Sequence, residues 1–286
     1  MQVLKVLYPN KISFSRIILS NRLIQHAYIS ETTRSLSTVD KKDIRHHNTM
    51  KTQWWDEDGV LKFLHKFNPL RVQFVREGMA NTGFEASNPA FPLKGLKIID
   101  VGCGGGILTE SLARVGAEVT GIDASDELIE VANQHIKLDS DIMERVNYIS
   151  TNIEEFSKTN IESYDVVVCS EVLEHVADPD LFIKKCVEVL KPDGSIFITT
   201  INRTLCSWLG AIIVAEYMLK VIALGTHQWN KFLSPYEVQS ILDKYGCKTK
   251  VIHGILVNPL TYHFKWSSYT GIFYGIHAVK QKQTTI

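Results

Sequence analysis

Charge of one sign is what this chain most plainly lacks: 31 lysines and arginines face 31 aspartates and glutamates. That balance excludes the basic footprint by which proteins hold nucleic acid, and no nucleic-acid partner is expected. Cysteine is scarce. Cys103, Cys169, Cys186, Cys206 and Cys247 form no C-x-x-C pair and no zinc-ligand spacing, so they read as reduced thiols of an intracellular compartment. No uncharged apolar run reaches the roughly 20 residues of a comfortable membrane span. Acid is missing altogether from the first 30 residues, where Lys5, Lys11, Arg16 and Arg22 stand among Leu, Ile and Ser. A basic, Ser-containing, acid-poor start without a continuous apolar core reads as a mitochondrial transit peptide, or else as a tail with no address. Residues 1–45 are assigned to it and set outside the fold, leaving residues 46–286 as the folded domain.

The most informative stretch runs from residue 97 to residue 123, KIIDVGCGGGILTESLARVGAEVTGID. An apolar run (Ile98, Ile99, Val101) stops at Gly102, Gly104, Gly105 and Gly106. A helical pattern follows (Ile107, Leu108, Leu112, Val115), then a second apolar run that ends in Asp123. Glycines at such a turn let backbone approach a ligand at the start of a helix, and an acid about 20 residues on can accept ribose hydroxyls. A dinucleotide fingerprint would need a glycine at Ile107; the chain has G-x-G-x-G instead, which disfavours a dehydrogenase. The pattern is similar to the first motif of the class I S-adenosylmethionine-dependent methyltransferases.

Strands are predicted at 97–101, 118–123, 146–150, 165–169, 195–200, 248–253 and 272–279, and helices at 107–115, 126–135 and 179–190. Alternating β and α elements predict a seven-stranded, mostly parallel sheet with helices on both faces, a Rossmann-like α/β fold. Ser234-Pro235-Tyr236-Glu237 carries a capping box with Pro in the first turn, and Gly246 closes the helix it opens. No repeat and no low-complexity linker interrupts the pattern.

The fourth strand runs directly into Ser170-Glu171-Val172-Leu173-Glu174-His175. Continued as a helix, this places Glu171, Glu174 and His175 on one face at i, i+3 and i+4, at the carboxyl edge where such sheets bind ligands. Two carboxylates and an imidazole suit a divalent cation, Mg²⁺ or Mn²⁺ for the oxygens, with His pulling toward Mn²⁺ or Zn²⁺. The same residues could instead shape a metal-free substrate pocket, and His175 could act as a general base.

Further blocks accompany these: Trp54-Trp55-Asp56, Leu64-His65-Lys66-Phe67-Asn68-Pro69-Leu70-Arg71, Ile201-Asn202-Arg203 and Gly225-Thr226-His227. Taken in order with the glycine motif and Glu171 to His175, they closely resemble the ubiquinone-biosynthesis O-methyltransferases, bacterial and mitochondrial, from about Gln53 to His277. That resemblance implies methylation of catechol hydroxyls, first on a polyprenyl dihydroxybenzoate and later on a demethylubiquinol. It implies S-adenosylmethionine held by Arg71, Gly102, Gly104, Asp123 and Ser170, and Mg²⁺ held by Glu171, Glu174 and His175. Ser170, at a position that varies in the family, would make its contact through the backbone. The resemblance also implies a multi-subunit biosynthetic complex, peripheral on the matrix side of the mitochondrial inner membrane.

Residues 205–224 are apolar apart from Ser207, Glu216 and Lys220, within an insertion at about 203–228. Such a helix belongs in a core, against a partner, or at a membrane interface. A polyprenyl substrate makes the membrane-dipping lid the better expectation. Trp54 and Trp55 are expected to be packing anchors, and Asn152 to lie near the adenine. Two rival functions remain: a metal-independent methyltransferase on another lipid or small-molecule acceptor, and a non-catalytic scaffold. The intact glycines, Asp123 and acidic cluster weigh against the scaffold.

Overall fold

Strand β1 (Lys97–Val101) lies at the centre of a sheet because every residue after Lys97 is buried. Ile98 and Ile99 point to opposite faces, and each face is covered by helices, as strands in a mostly parallel sheet require. The computed structural model describes residues 38–39, 50–204, 207, 231–258 and 260–282. Residues 205–206 and 208–230, most of the apolar insertion including Gly225, Thr226 and His227, therefore lie outside the described residues. So do residues 1–37, the greater part of the expected transit peptide.

Helix α1 (Lys62–Asn81) precedes the sheet, and β1 leads into α2 (Ile107–Arg114), β2 (Glu118–Asp123) and α3 (Asp126–His135). Then come α4 (Ser140–Met143), β3 (Val146–Ser150), α5 (Ile153–Phe156) and β4 (Tyr164–Ser170). A 3₁₀ turn (Leu173–His175), α6 (Pro179–Val189), β5 (Leu190–Ile201), α7 (Pro235–Lys244), β6 (Cys247–Val257), β7 (Phe264–Ser267) and β8 (Phe273–Lys280) complete the order. The strands stand as β3-β2-β1-β4-β5-β8-β6-β7. The first five run parallel, whereas β8 is antiparallel to both β5 and β6, and β7 is antiparallel to β6.

Eight strands stand where seven are predicted. The extra one, β7, has only four residues, too few for alternation to stand out. Strand β5 also begins earlier than expected, because Leu190 pairs with Tyr164 across an irregularity in register. Helices α3 and α7 match their sequence signals. Ser125 caps α3, and the Ser234–Glu237 capping box of α7 is complete, with both reciprocal bonds formed.

The core has two layers. Ile99, Val167, Ile183, Ile196 and Leu242 pack beneath α5, α6 and α7; Ile98, Leu112, Ile129, Val166 and Phe197 pack beneath α1, α2 and α3. A third cluster is aromatic, joining Phe63 and Phe67 of α1 to Phe232, Phe264 and Phe273.

The expected boundary at residue 45 needs one correction. Val39 forms an antiparallel bridge with Val176, the Thr38 N–H donates to buried Glu154 Oε1 at 2.8 Å, and the Ala177 N–H donates to Thr38 O at 2.8 Å. This short strap belongs to the fold.

Strand order reverses between β1 and β4. Their carboxyl ends open a crevice there, with the glycine turn on one side and Ser170-Glu171 on the other, the place where open α/β sheets bind ligands.

Candidate active site

The glycine turn is held in a form only glycine adopts cheaply. Gly102, Gly104 and Gly106 have φ of +76°, +55° and +94°. A Cβ on Gly104 would run into the Trp54 ring, and one on Gly106 into Tyr148 Oη. The Gly102 and Cys103 N–H groups donate to Ile122 O at 2.8 and 3.0 Å, tying the turn to β2. Asp123, the last residue of β2, is fastened to the same turn. Its Oδ2 accepts from the Gly104 N–H at 3.0 Å and its Oδ1 from the Ser125 N–H at 2.8 Å. Burial raises its pKa, and backbone donors Ser125, Gly104 and Ala124 work against that rise. A carboxylate keeps spare lone pairs after two such bonds, so Asp123 can still accept from a diol.

Across the crevice the expected helix does not form. Glu171 leaves β4 in the left-handed region at φ +56°, and only the 3₁₀ turn at Leu173–His175 follows. Glu171, Glu174 and His175 therefore do not share a helix face. The reason is tertiary: the Glu171 N–H donates to Thr199 O on β5 at 2.9 Å, which bends the chain before a helix can start. Non-glycine residues rarely take this backbone form, and it concentrates at functional sites. Glu171 Oε1 is buried with no hydrogen-bond partner. Desolvation pushes its carboxyl well above the usual range and the Glu174 charge adds to this, while a Thr199 hydrogen bond, Arg71 and His175 oppose the rise. Glu174 is itself buried, with Oε2 accepting from Thr200 Oγ1 at 2.7 Å.

Arg71 reaches the crevice from the third turn of α1. Its Nη2 donates to Asn68 Oδ1 at 2.9 Å and to Leu64 O at 3.2 Å, and its Nη1 to Ser170 Oγ at 3.2 Å. Ser170 Oγ is also within 2.9 Å of Thr199 Oγ1. Burial pulls Arg71 down to about 10, with Asp100 and Glu171 opposing, so it remains a cation near neutrality. Asp100 is a residue the motif reading passes over. Its buried carboxyl accepts from Thr109 Oγ1 at 2.6 Å and is pushed up to about 6 by desolvation. The signal was available as the one acid inside the apolar run before Gly102.

One cavity gathers most of the expected site. Arg71, Gly102, Gly104, Asp123, Ser170, Glu171 and His175 line it, with Asp100, Trp54 and the strap residues Thr38 and Val39. Glu174 does not; its carboxyl turns to β5. Among the described residues no three His, Cys, Asp or Glu side chains are gathered so as to hold a metal ion. Asn152 lines the cavity but spends its side-chain oxygen capping α5.

Residues 99–198, from β1 through most of β5, match the family model described as a methyltransferase domain. The mitochondrial ubiquinone biosynthesis O-methyltransferase of Bos taurus is 44% identical over 246 residues, 86% of this chain and 66% of that protein. The ubiquinone biosynthesis O-methyltransferase of Proteus mirabilis is 39% identical over 247 residues, 86% of this chain and 95% of that protein. The chain belongs to the ubiquinone biosynthesis O-methyltransferases. As a member of that family it is an S-adenosylmethionine-dependent O-methyltransferase, and the glycine turn and Asp123 lie where the fold binds nucleotides. The magnesium protoporphyrin IX methyltransferase of Synechocystis PCC 6803, solved with bound SAH, shares the Rossmann-like fold. It aligns with a TM-score of 0.54 at 20% identity, covering 74% of this chain and 83% of that one.

Proposed function

We propose that this O-methyltransferase methylates a catechol hydroxyl of polyprenyl ubiquinone precursors, both a polyprenyl dihydroxybenzoate and a demethylubiquinol. The observation that carries this reading is the opposition, across one crevice, of a tethered acceptor and a partnerless one. Asp123 stands beside the glycine turn, and Glu171 holds a buried oxygen with nothing bonded to it.

Bound S-adenosylmethionine supplies a sulfonium methyl group. Asp123 accepts its ribose hydroxyls, Gly102 and Gly104 permit close approach, Arg71 opposes its carboxylate, and Ser170 contributes through the backbone. With the cofactor bound there, the catechol oxygen would give its proton to His175 or to solvent and become the nucleophile toward the methyl group, and S-adenosylhomocysteine would be the leaving group. Alignment of the reacting atoms accounts for much of the acceleration.

By residue type Glu171, Glu174 and His175 suit Mg²⁺, although Glu174 faces β5 and among the described residues the three are not gathered around one point. Two carboxylates offer hard oxygens, one of them buried and unsatisfied, with an imidazole next in sequence. Glu171, Glu174 and His175 would hold the ion once Glu174 turns from Thr200. Bound there, Mg²⁺ would stabilise negative charge on the catechol oxygen. His175 serves as ligand in this reading; its alternative role is to accept the phenol proton.

The relatives' mitochondrial label and the acid-free leader support a mitochondrial address. With a polyprenyl substrate, the apolar sequence at residues 205–224, outside the described residues apart from Ser207, would contact the inner membrane from the matrix side, where a biosynthetic complex would assemble. Among the described residues no helix is long and apolar enough to cross a membrane. Ile212→Asp with Ile213→Asp should release the chain from liposomes in a flotation assay while it stays folded; a folded variant that still floats removes the membrane role.

The decisive assay gives the full chain methyl-labelled S-adenosylmethionine and a panel of catechols, with Mg²⁺ or with EDTA. Transfer that EDTA abolishes and Mg²⁺ restores, with cofactor binding intact, is the expected result. Full turnover in metal-free buffer returns Glu171, Glu174 and His175 to pocket-shaping, and failure with every catechol rejects the substrate class.

A further inference from the structure

Two adjacent tryptophans grip the glycine turn, and they spend their indole N–H groups differently. Trp55 Nε1 donates to Gly105 O at 3.0 Å, while its ring stacks on His135 with centroids 3.4 Å apart. Trp54 lies against the same turn. A Cβ on Gly104 would come within 2.9 Å of its Cη2, and one on Gly105 within 2.6 Å of its Nε1. Its ring is only 5% exposed, yet Nε1 has no hydrogen-bond partner. A buried donor left unpaired is destabilising, and a hydrocarbon aromatic side chain would avoid that cost.

Two further facts narrow what the N–H is for. Trp54 lines the cavity that holds Gly104, Asp123 and Arg71. Arg71, which lines the same cavity, likewise has its Nε buried without an acceptor. Two donors without acceptors on residues that line one cavity, one borne by a cation, match an anion that accepts more than one hydrogen bond. Of the groups on S-adenosylmethionine only the α-carboxylate has that chemistry. We propose that the Trp54 indole N–H donates to the carboxylate of the cofactor's amino-acid end, alongside Arg71. Trp54 thus both props the turn and reads the cofactor; this assignment rests on the S-adenosylmethionine reading above.

Trp54→Phe keeps an aromatic ring, though a smaller one, and removes the donor. Calorimetry on the full chain would compare S-adenosylhomocysteine with 5′-methylthioadenosine, which lacks the amino-acid end. The variant should bind S-adenosylhomocysteine roughly ten- to a hundredfold more weakly, as loss of a charge-assisted bond implies, with methylthioadenosine affinity unchanged. Equal losses for both ligands, or no loss for either, overturn the assignment. If the wild-type chain binds neither ligand, the cofactor reading falls, and this inference with it. Should the variant not fold, the wild type still decides. In nitrogen-15 spectra the Trp54 indole resonance should move downfield with S-adenosylhomocysteine and stay still with methylthioadenosine; an unmoved resonance for both overturns the proposal.

Discussion

Asp123 holds its place through two backbone donors, Gly104 and Ser125, so its carboxylate is aimed before any ligand arrives. Asp123→Ala removes a charged acceptor worth roughly 1.5–3 kcal/mol. Cofactor affinity by calorimetry should fall ten- to a hundredfold in a chain that still folds, and unchanged affinity would dismiss the ribose role. Gly106→Ala should be costlier to the fold itself. It forces a side chain into φ +94° and against Tyr148 Oη, and a loss above about 1 kcal/mol in urea unfolding is expected. At this scale the glycines and Asp123 were legible, because backbone geometry leaves few other residues that serve there. Glu171 was legible in identity but not in conformation. Its left-handed turn depends on a bond to Thr199, 28 positions away in the chain, which local spacing does not encode.

Elements whose ends carry their own chemistry were read closely. Helix α7 begins where Ser234 and Glu237 bond reciprocally, and Ser234→Ala should cost about 1 kcal/mol. For a domain of this size that is a fall in Tm of roughly 2–4 °C; no shift in a melting curve would show that tertiary packing alone holds the helix start. Elements defined by partners rather than by ends were harder. Strand β7 exists because Phe264 and Trp266 pair with Val257 and Ile255 across a hairpin. The extra length of β5 comes from its contact with β4. The helix expected after β4 failed for the same reason: its first residue was already committed to β5.

Strand β8 carries a titratable group into the middle of the molecule. His277 is 1% exposed, stacked on Phe197 with centroids 4.2 Å apart and hydrogen-bonded with Ser195 Oγ at 3.0 Å. Burial lowers its pKa to about 4, with Lys250 adding to the effect. The unfolded chain takes up this proton near pH 6.5, and the folded chain resists it until about 4. The neutral imidazole's contribution is whole above pH 6.5 and is lost as pH falls to about 4, roughly 3 kcal/mol in all. His277→Gln should start less stable at pH 7 yet lose about that much less across the window. Urea unfolding at several pH values checks this, and parallel curves for the two chains would place the acid lability elsewhere. The parallel half of the sheet and the crevice at its reversal followed from alternation alone, whereas the antiparallel insertion of β8 between β5 and β6 did not.

The strap at Thr38 and Val39 bears on maturation. If the acid-free leader is removed after import, the processing protease has a limit it must not cross, because these residues form part of the wall of the crevice proposed to take the cofactor. A cut that spares Thr38 leaves its N–H on Glu154, whereas a cut beyond Val39 leaves Glu154 Oε1 without that donor. Trimming precision would then set how long the enzyme retains its cofactor. Thr38→Pro, which abolishes that donor without shortening the chain, should speed S-adenosylmethionine release in stopped-flow measurements while leaving the melting temperature nearly unchanged. Release at the wild-type rate would make the strap a bystander, and cleavage heterogeneity harmless.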